Sequence, residues 1–206
     1  MKKNLYKTSE KFGKEDHHEI NWDIYQKFLR IIKFNKKEKI LDAGCGNGEL
    51  GSYLKGFNLF GFDFNDKAVK NARKKSYKKV VKSEIYSLPF KDKEYDKTIC
   101  IQVFQYLEKP EKAFKELLRV TNKNIIITVP NFKWLKISSY LSKKHKTRYE
   151  YCIKHENYTD NEFLEKLSKK NKIPLEIKYL SNKFSLIRNI FGKYFSSEII
   201  GIYNLK

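Results

Sequence analysis

Gly44, Gly46 and Gly48 stand at alternate positions behind an apolar run and an aspartate, in the stretch Ile-Leu-Asp-Ala-Gly-Cys-Gly-Asn-Gly that runs from Ile40 to Gly48. A strand that stops at Asp42 and passes straight into such a turn brings backbone, Cys45 included, close to whatever sits over its end, because glycine has no side chain to hold a ligand off. That suits a nucleotide-like ligand, and the spacing narrows the choice. A dinucleotide fingerprint needs a third glycine where this chain has Glu49. A carboxylate there would face a pyrophosphate bound at a helix N-terminus, so NAD and FAD are disfavoured. A second apolar run, Phe57 to Phe62, ends at Asp63, about 20 residues further on, where a doubly wound fold sets the carboxylate that binds a ribose diol. A glycine turn of purely structural use in some other α/β protein is the competing reading.

Strands have to carry these groups. Apolar runs predict a third strand over Lys79 to Ser83, a fourth from Tyr95-Asp96 through Lys97 to Ile101, and a fifth over Asn124 to Val129, closed by Val129-Pro130-Asn131-Phe132. Between them the pattern predicts a helix over Lys67 to Lys75 capped by Asp66. Another helix starts near Pro110, with Ala113, Leu117, Leu118 and Val120 on one face. Strands alternating with helices imply a mostly parallel sheet with helices on both faces. Ligands of such sheets bind outside the carboxyl ends of the strands, and Asp42, Asp63, Glu84 and Gln102 all fall at those ends.

The Asp-x-Gly-x-Gly-x-Gly run from Asp42 to Gly48 resembles motif I of the class I S-adenosylmethionine-dependent methyltransferases. Their ligand has no phosphate and carries a sulfonium and an ammonium, which makes electrostatic sense of Asp42. Ser83-Glu84-Ile85-Tyr86-Ser87-Leu88-Pro89-Phe90 resembles the matching segment of the UbiE-like small-molecule enzymes, and Gln102 to Leu107 their loop against the methionine end of the cofactor. That likeness implies an adenine amino group on Glu84 and the adenine ring against Ile85; a surface role for Glu84 is the alternative. It covers roughly Lys39 to Trp134, with a weaker flavour of the MetW type in Gln102 to Gln105 and in Phe132 and Trp134. The resemblance implies an α/β, Rossmann-like, doubly wound fold: a seven-stranded, mostly parallel sheet with an antiparallel C-terminal hairpin. It implies contacts to S-adenosyl-L-methionine from Asp42, Gly44, Cys45, Gly46, Gly48, Asp63, Phe64, Glu84, Ile85 and Gln102.

On this reading the chain is one methyltransferase domain, residues 1–206. Residues 1–38 form a helical cover, with Trp22, Tyr25, Phe28, Leu29 and Ile32 at helical spacing; residues 39–132 form the cofactor core; residues 133–206 form a substrate-side lid and a closing hairpin. Thr159 with Glu162 predicts a capping box for a helix to Lys170, and Leu175 to Leu180 with Glu198 to Leu205 predict the hairpin. A small-molecule acceptor needs no fixed catalytic group, since methyl transfer is an in-line displacement; if a base assists, Tyr106, His155 or His17 are the candidates, with Glu156 and Tyr158 beside the lid. His17 and His18 alone do not make a metal site, and Cys45, Cys100 and Cys152 lack zinc or disulfide spacing, so no metal and a reducing cytoplasm are expected. No apolar run is long enough to span a membrane.

The net charge of +20, from 44 basic and 24 acidic residues, invites a tRNA or rRNA methyltransferase. Only five of the basic residues are arginine, the preferred bidentate reader of bases and phosphates, so RNA is not favoured. The segment Lys133 to Arg148, interleaved with Trp134, Tyr140 and Tyr149, is the one that could stack on RNA. A third reading is a MetW-like partner protein that keeps the cofactor fold and works by binding another enzyme. It would show an exposed apolar patch.

Overall fold

The structure, a computed structural model, describes residues 22–140, 143, 146, 150, 159–180 and 198–205. The chain divides into two units, residues 1–33 and 34–206. In the first, helix α1 (Trp22–Ile31) forms where the aromatic and aliphatic residues recur at helical spacing; Phe28 and, just beyond the helix, Ile32 are buried.

The second unit is built on seven strands: β1 (Lys39–Ala43), β2 (Asn58–Asp63), β3 (Lys79–Lys82), β4 (Tyr95–Ile101), β5 (Thr121–Pro130), β6 (Leu175–Leu180) and β7 (Glu198–Asn204). They lie in the order β3-β2-β1-β4-β5-β7-β6. β3 through β5 pair in parallel; β7 runs antiparallel to both β5 and β6, so it alone is reversed. The predicted sheet and closing hairpin are therefore both present. The chain order reverses between β1 and β4, the switch point beside which doubly wound sheets bind ligands. Central strands are covered on both faces, and β1 and β5 accordingly read as apolar runs in place of alternating ones.

Helices α2 (Glu49–Tyr53), α3 (Asp66–Ala72), α4 (Pro110–Val120), α5 (Phe132–Ser138) and α6 (Asn161–Asn171) connect the strands. α4 buries Ala113, Phe114, Leu117 and Val120 into the main core, with Leu164 and Leu167 of α6 and Tyr203 of β7. The buried face is thus centred on Phe114, whose ring lies 4.7 Å from that of Tyr203, and Leu118 is only partly covered. Two caps differ from expectation. α3 is capped by Asn65, whose side chain accepts from the N–H groups of Lys67 and Ala68, while Asp66 sits inside the first turn and pairs with Lys82. α6 is capped by Asp160, accepting from Phe163 N–H, and Glu162 pairs with Lys133 in place of closing a box with Thr159. No helix among the described residues is long and apolar enough to cross a membrane.

Candidate functional site

β1 ends by delivering Asp42 opposite Gly61 of β2 and Ile99 of β4, in the middle of the sheet at its carboxyl edge. The turn that follows is pinned by the N–H groups of Gly44 and Cys45, both donating to Phe62 O at 3.0 and 2.9 Å. Its glycines are glycine for different reasons. A Cβ on Gly48 would lie 2.8 Å from the backbone of Ala72, and one on Gly44 would lie 2.6 Å from Val103 Cγ2, so both admit neighbouring protein. Gly46, with φ of 53°, has among the described residues, its chain neighbours aside, no atom closer to that position than Glu49 Oε2 at 3.9 Å. Among the described residues its missing side chain is thus not crowded as those of Gly44 and Gly48 are, which is the arrangement a close-lying ligand requires.

Asp63 stands beside this opening. Its Oδ2 accepts the Gly46 N–H and its Oδ1 the Asn65 N–H, each at 2.9 Å. The carboxylate is not idle before a ligand arrives, as the expected Asp66 cap would have left it; it shapes the turn. A carboxylate offers two lone pairs on each oxygen, the acceptor capacity a diol would call on. Phe64 is one of three large apolar side chains left exposed among the described residues. Glu84 is exposed just beyond β3, while Ile85 is buried in the main core. At the end of β4, Gln102 adopts φ of 57°, a left-handed backbone that non-glycine residues seldom take. Its N–H donates to both Thr128 O and Thr128 Oγ1, and its side chain joins a chain in which Gln105 Nε2 donates to Gln102 Oε1 and Gln102 Nε2 donates to Glu198 Oε2. Tyr106 lies in the 3₁₀ turn Phe104–Tyr106 that follows, partly buried. His17, His18, His155, Glu156, Tyr158 and Cys152 lie outside the described residues.

Two residues that sequence reasoning missed belong to the site. Tyr77 donates its phenolic proton to Asp42 Oδ2 at 2.6 Å from a position 35 residues away. Glu198, 2% exposed, opens β7 opposite Pro130 and meets Gln102 across 96 residues. No local pattern announces either pairing. Burial pushes the Asp42 carboxyl up to about 7, the Tyr77 bond opposes that, and Glu49 and Asp63 add to it. Burial, with the charges of Asp42 and Asp63, also raises the Cys45 thiol, which argues against a reactive thiolate. Among the described residues no group of His, Cys, Asp or Glu could hold a metal ion.

Residues 41–128 match the family described as a methyltransferase domain. An uncharacterized protein of Methanocaldococcus jannaschii is 34% identical over 104 residues, which are 49% of this chain and 45% of that protein. The chain spans about half the length of the curated relatives it matches, from 45% to 62%. Among solved structures, a SAM-dependent methyltransferase from Thermotoga maritima superposes with a TM-score of 0.67 at 17% identity, covering 96% of this chain and 98% of that one. The plantazolicin methyltransferase BpumL, solved with SAH, gives 0.65 at 20% identity, over 96% of this chain and 88% of its own.

Proposed function

We propose that the chain is an S-adenosylmethionine-dependent methyltransferase whose acceptor is a small molecule, a reading supported by the match of residues 41–128 to a methyltransferase-domain family and by the fold shared with a SAM-dependent methyltransferase. The observation that carries this reading is the uncrowded position at Gly46, whose N–H donates to the strand-end carboxylate of Asp63 and which is bordered by Glu49 where a dinucleotide site would need glycine. The residues present fit the cofactor: Asp63 would take the ribose hydroxyls, Glu84 the adenine amino group, Ile85 the adenine ring with Phe64 beside the site, and Asp42 the ammonium end. Bound there, S-adenosylmethionine supplies a methyl group on a positively charged sulfur.

The chain's own contribution is positioning. Gln102, held left-handed by Thr128, shapes the mouth at the end of β4, and the Gln105–Gln102–Glu198 chain ties that loop to β7. Holding acceptor and methyl in near-attack geometry supplies much of the acceleration such a displacement needs. Where the acceptor is a hydroxyl or amine, Tyr106 of the same loop is the described candidate base, acting as its phenolate.

A small molecule is favoured over RNA because the basic surface is lysine, with arginine scarce. One observation keeps RNA second: Tyr140, just past α5, is 83% exposed on the basic segment proposed above to stack. Incubation of the chain with methyl-labelled S-adenosylmethionine and separated cell fractions tests the choice. Label in the small-metabolite fraction is expected. Label in total tRNA or rRNA would replace the small-molecule reading, and cofactor binding without transfer to any fraction would favour the partner-protein reading.

A further inference from the structure

Tyr77 lies between α3 and β3, and two glycines make room for its ring. A Cβ on Gly51 would sit 2.2 Å from Tyr77 Cε2, and one on Gly61 would sit 3.0 Å from Cε1. Neither glycine has the left-handed backbone that would by itself call for glycine. Glycine inside a helix or a strand is destabilising, and here it opens a slot from the α3–β3 segment to the carboxylate of β1. The phenol at the end of that slot is fully committed. Its oxygen accepts the Gly51 N–H at 3.2 Å, which leaves its own proton to the Asp42 Oδ2 2.6 Å away.

The groups that act on Asp42 come from every side of it: Tyr77, Glu49 of α2, Asp63 of β2, Cys45 of the turn and Cys100 of β4. None of these is a cation. Burial, Glu49 and Asp63 all work against the charged carboxylate, and among the described residues it is the Tyr77 hydrogen bond that favours it.

We propose that Tyr77 is a positioning residue of the cofactor site, which holds the Asp42 carboxylate oriented and charged so that it can receive the ammonium group of the ligand. The proposal rests on the S-adenosylmethionine reading given above. It makes ligand affinity depend on pH through the ammonium end alone. A nucleoside thioether that lacks the amino-acid portion, 5′-methylthioadenosine, should bind without that dependence.

The test is calorimetric titration with S-adenosylhomocysteine and with 5′-methylthioadenosine between about pH 5.5 and about pH 7.5, below the range where a free α-amino group loses its proton. In the wild-type chain the affinity for S-adenosylhomocysteine should rise about tenfold across this range, and that for 5′-methylthioadenosine should stay level. Tyr77→Phe keeps the ring in its slot and removes only the donor. Its rise should move to higher pH, with affinity about fivefold below wild type at pH near 7. Gly51→Ala displaces the ring while leaving the phenol in the chain and improving helix propensity; it should shift the profile in the same direction, and it decides the matter if Tyr77→Phe does not fold. Asp42→Asn should abolish the slope.

Profiles of Tyr77→Phe and Gly51→Ala that superimpose on wild type would overturn the role of Tyr77, as would a slope that survives Asp42→Asn. Failure of the wild-type chain to bind S-adenosylhomocysteine at any pH would instead overturn the cofactor reading beneath it.

Discussion

At the amino ends of the strands, Asp96 accepts the Lys39 N–H at 3.0 Å and lies 3.1 Å from Lys123 Nζ, while Glu38 lies 3.0 Å from Lys97 Nζ. At the carboxyl ends, Asp42 is held by a phenol and, among the described residues, acids and thiols act on it. The consequences run in opposite directions. Burial raises the Asp96 carboxyl, but the Lys39 N–H and Lys123 outweigh it and hold the group below its ordinary value. Burial raises Asp42 as well, and there Glu49 and Asp63 add to the rise against the Tyr77 hydrogen bond. One end of the sheet settles its charges within the protein. The other keeps a buried carboxylate that a cationic ligand would complete, and buried groups displaced from their ordinary ionisation are where function concentrates.

Substitutions at the two ends should therefore separate binding from stability. Gly46→Val should have the largest effect on binding, a loss of about a hundredfold or more for S-adenosylmethionine, because a branched side chain would fill the open position; a native circular-dichroism spectrum would show that the fold survives the left-handed strain of about 1–2 kcal/mol. Retained binding would make the turn structural, like Gly48. At the opposite end, Lys97→Met should cost about 2 kcal/mol of stability in denaturant titration, since it leaves the half-buried Glu38 with the longer 3.7 Å contact to Lys123, and should leave ligand affinity in the folded protein unchanged. Coupling of this change to affinity would break the division between the two ends.

Asp63→Ala should weaken cofactor binding by at least about tenfold, or 1.4 kcal/mol, by removing the acceptor for two hydroxyls. Unchanged affinity would remove the ribose assignment. The remaining effect falls on the ligand-free protein. With the folded Asp42 near 7 and its ordinary value at 3.8, the folded state binds the proton more tightly than the unfolded one. The contribution to stability is full below about pH 4 and is lost as pH rises towards 7. Asp42→Asn should escape that loss, so its melting temperature should gain on wild type over that interval; parallel curves would place the titrating group elsewhere.

Much of this arrangement is legible in the order of residues. The apolar run into Gly44, Gly46 and Gly48 fixes β1 and its turn, and the alternation of β-branched and amphipathic stretches gives the parallel sheet and its closing hairpin. The caps are not legible in the same way. Asn65 and Asp66, like Thr159 and Asp160, are adjacent residues equally able to accept from a helix N-terminus, and the choice is made by where the preceding chain leaves the first turn. Tyr77 and Glu198 are legible least of all. Their partners lie 35 and 96 residues away, and only the assembled sheet brings a lysine-rich connector and the first residue of β7 to the ligand edge. The signal for Tyr77 is indirect: Gly51 inside a helix and Gly61 inside a strand have no turn to make.

The most direct test of the account is parallel calorimetric titration of the wild-type chain with S-adenosylmethionine, S-adenosylhomocysteine and NAD at neutral pH. The account predicts affinity of about micromolar order for the first two, near −8 kcal/mol, and no heat from the third. Binding of NAD, or of none of the three, would contradict it.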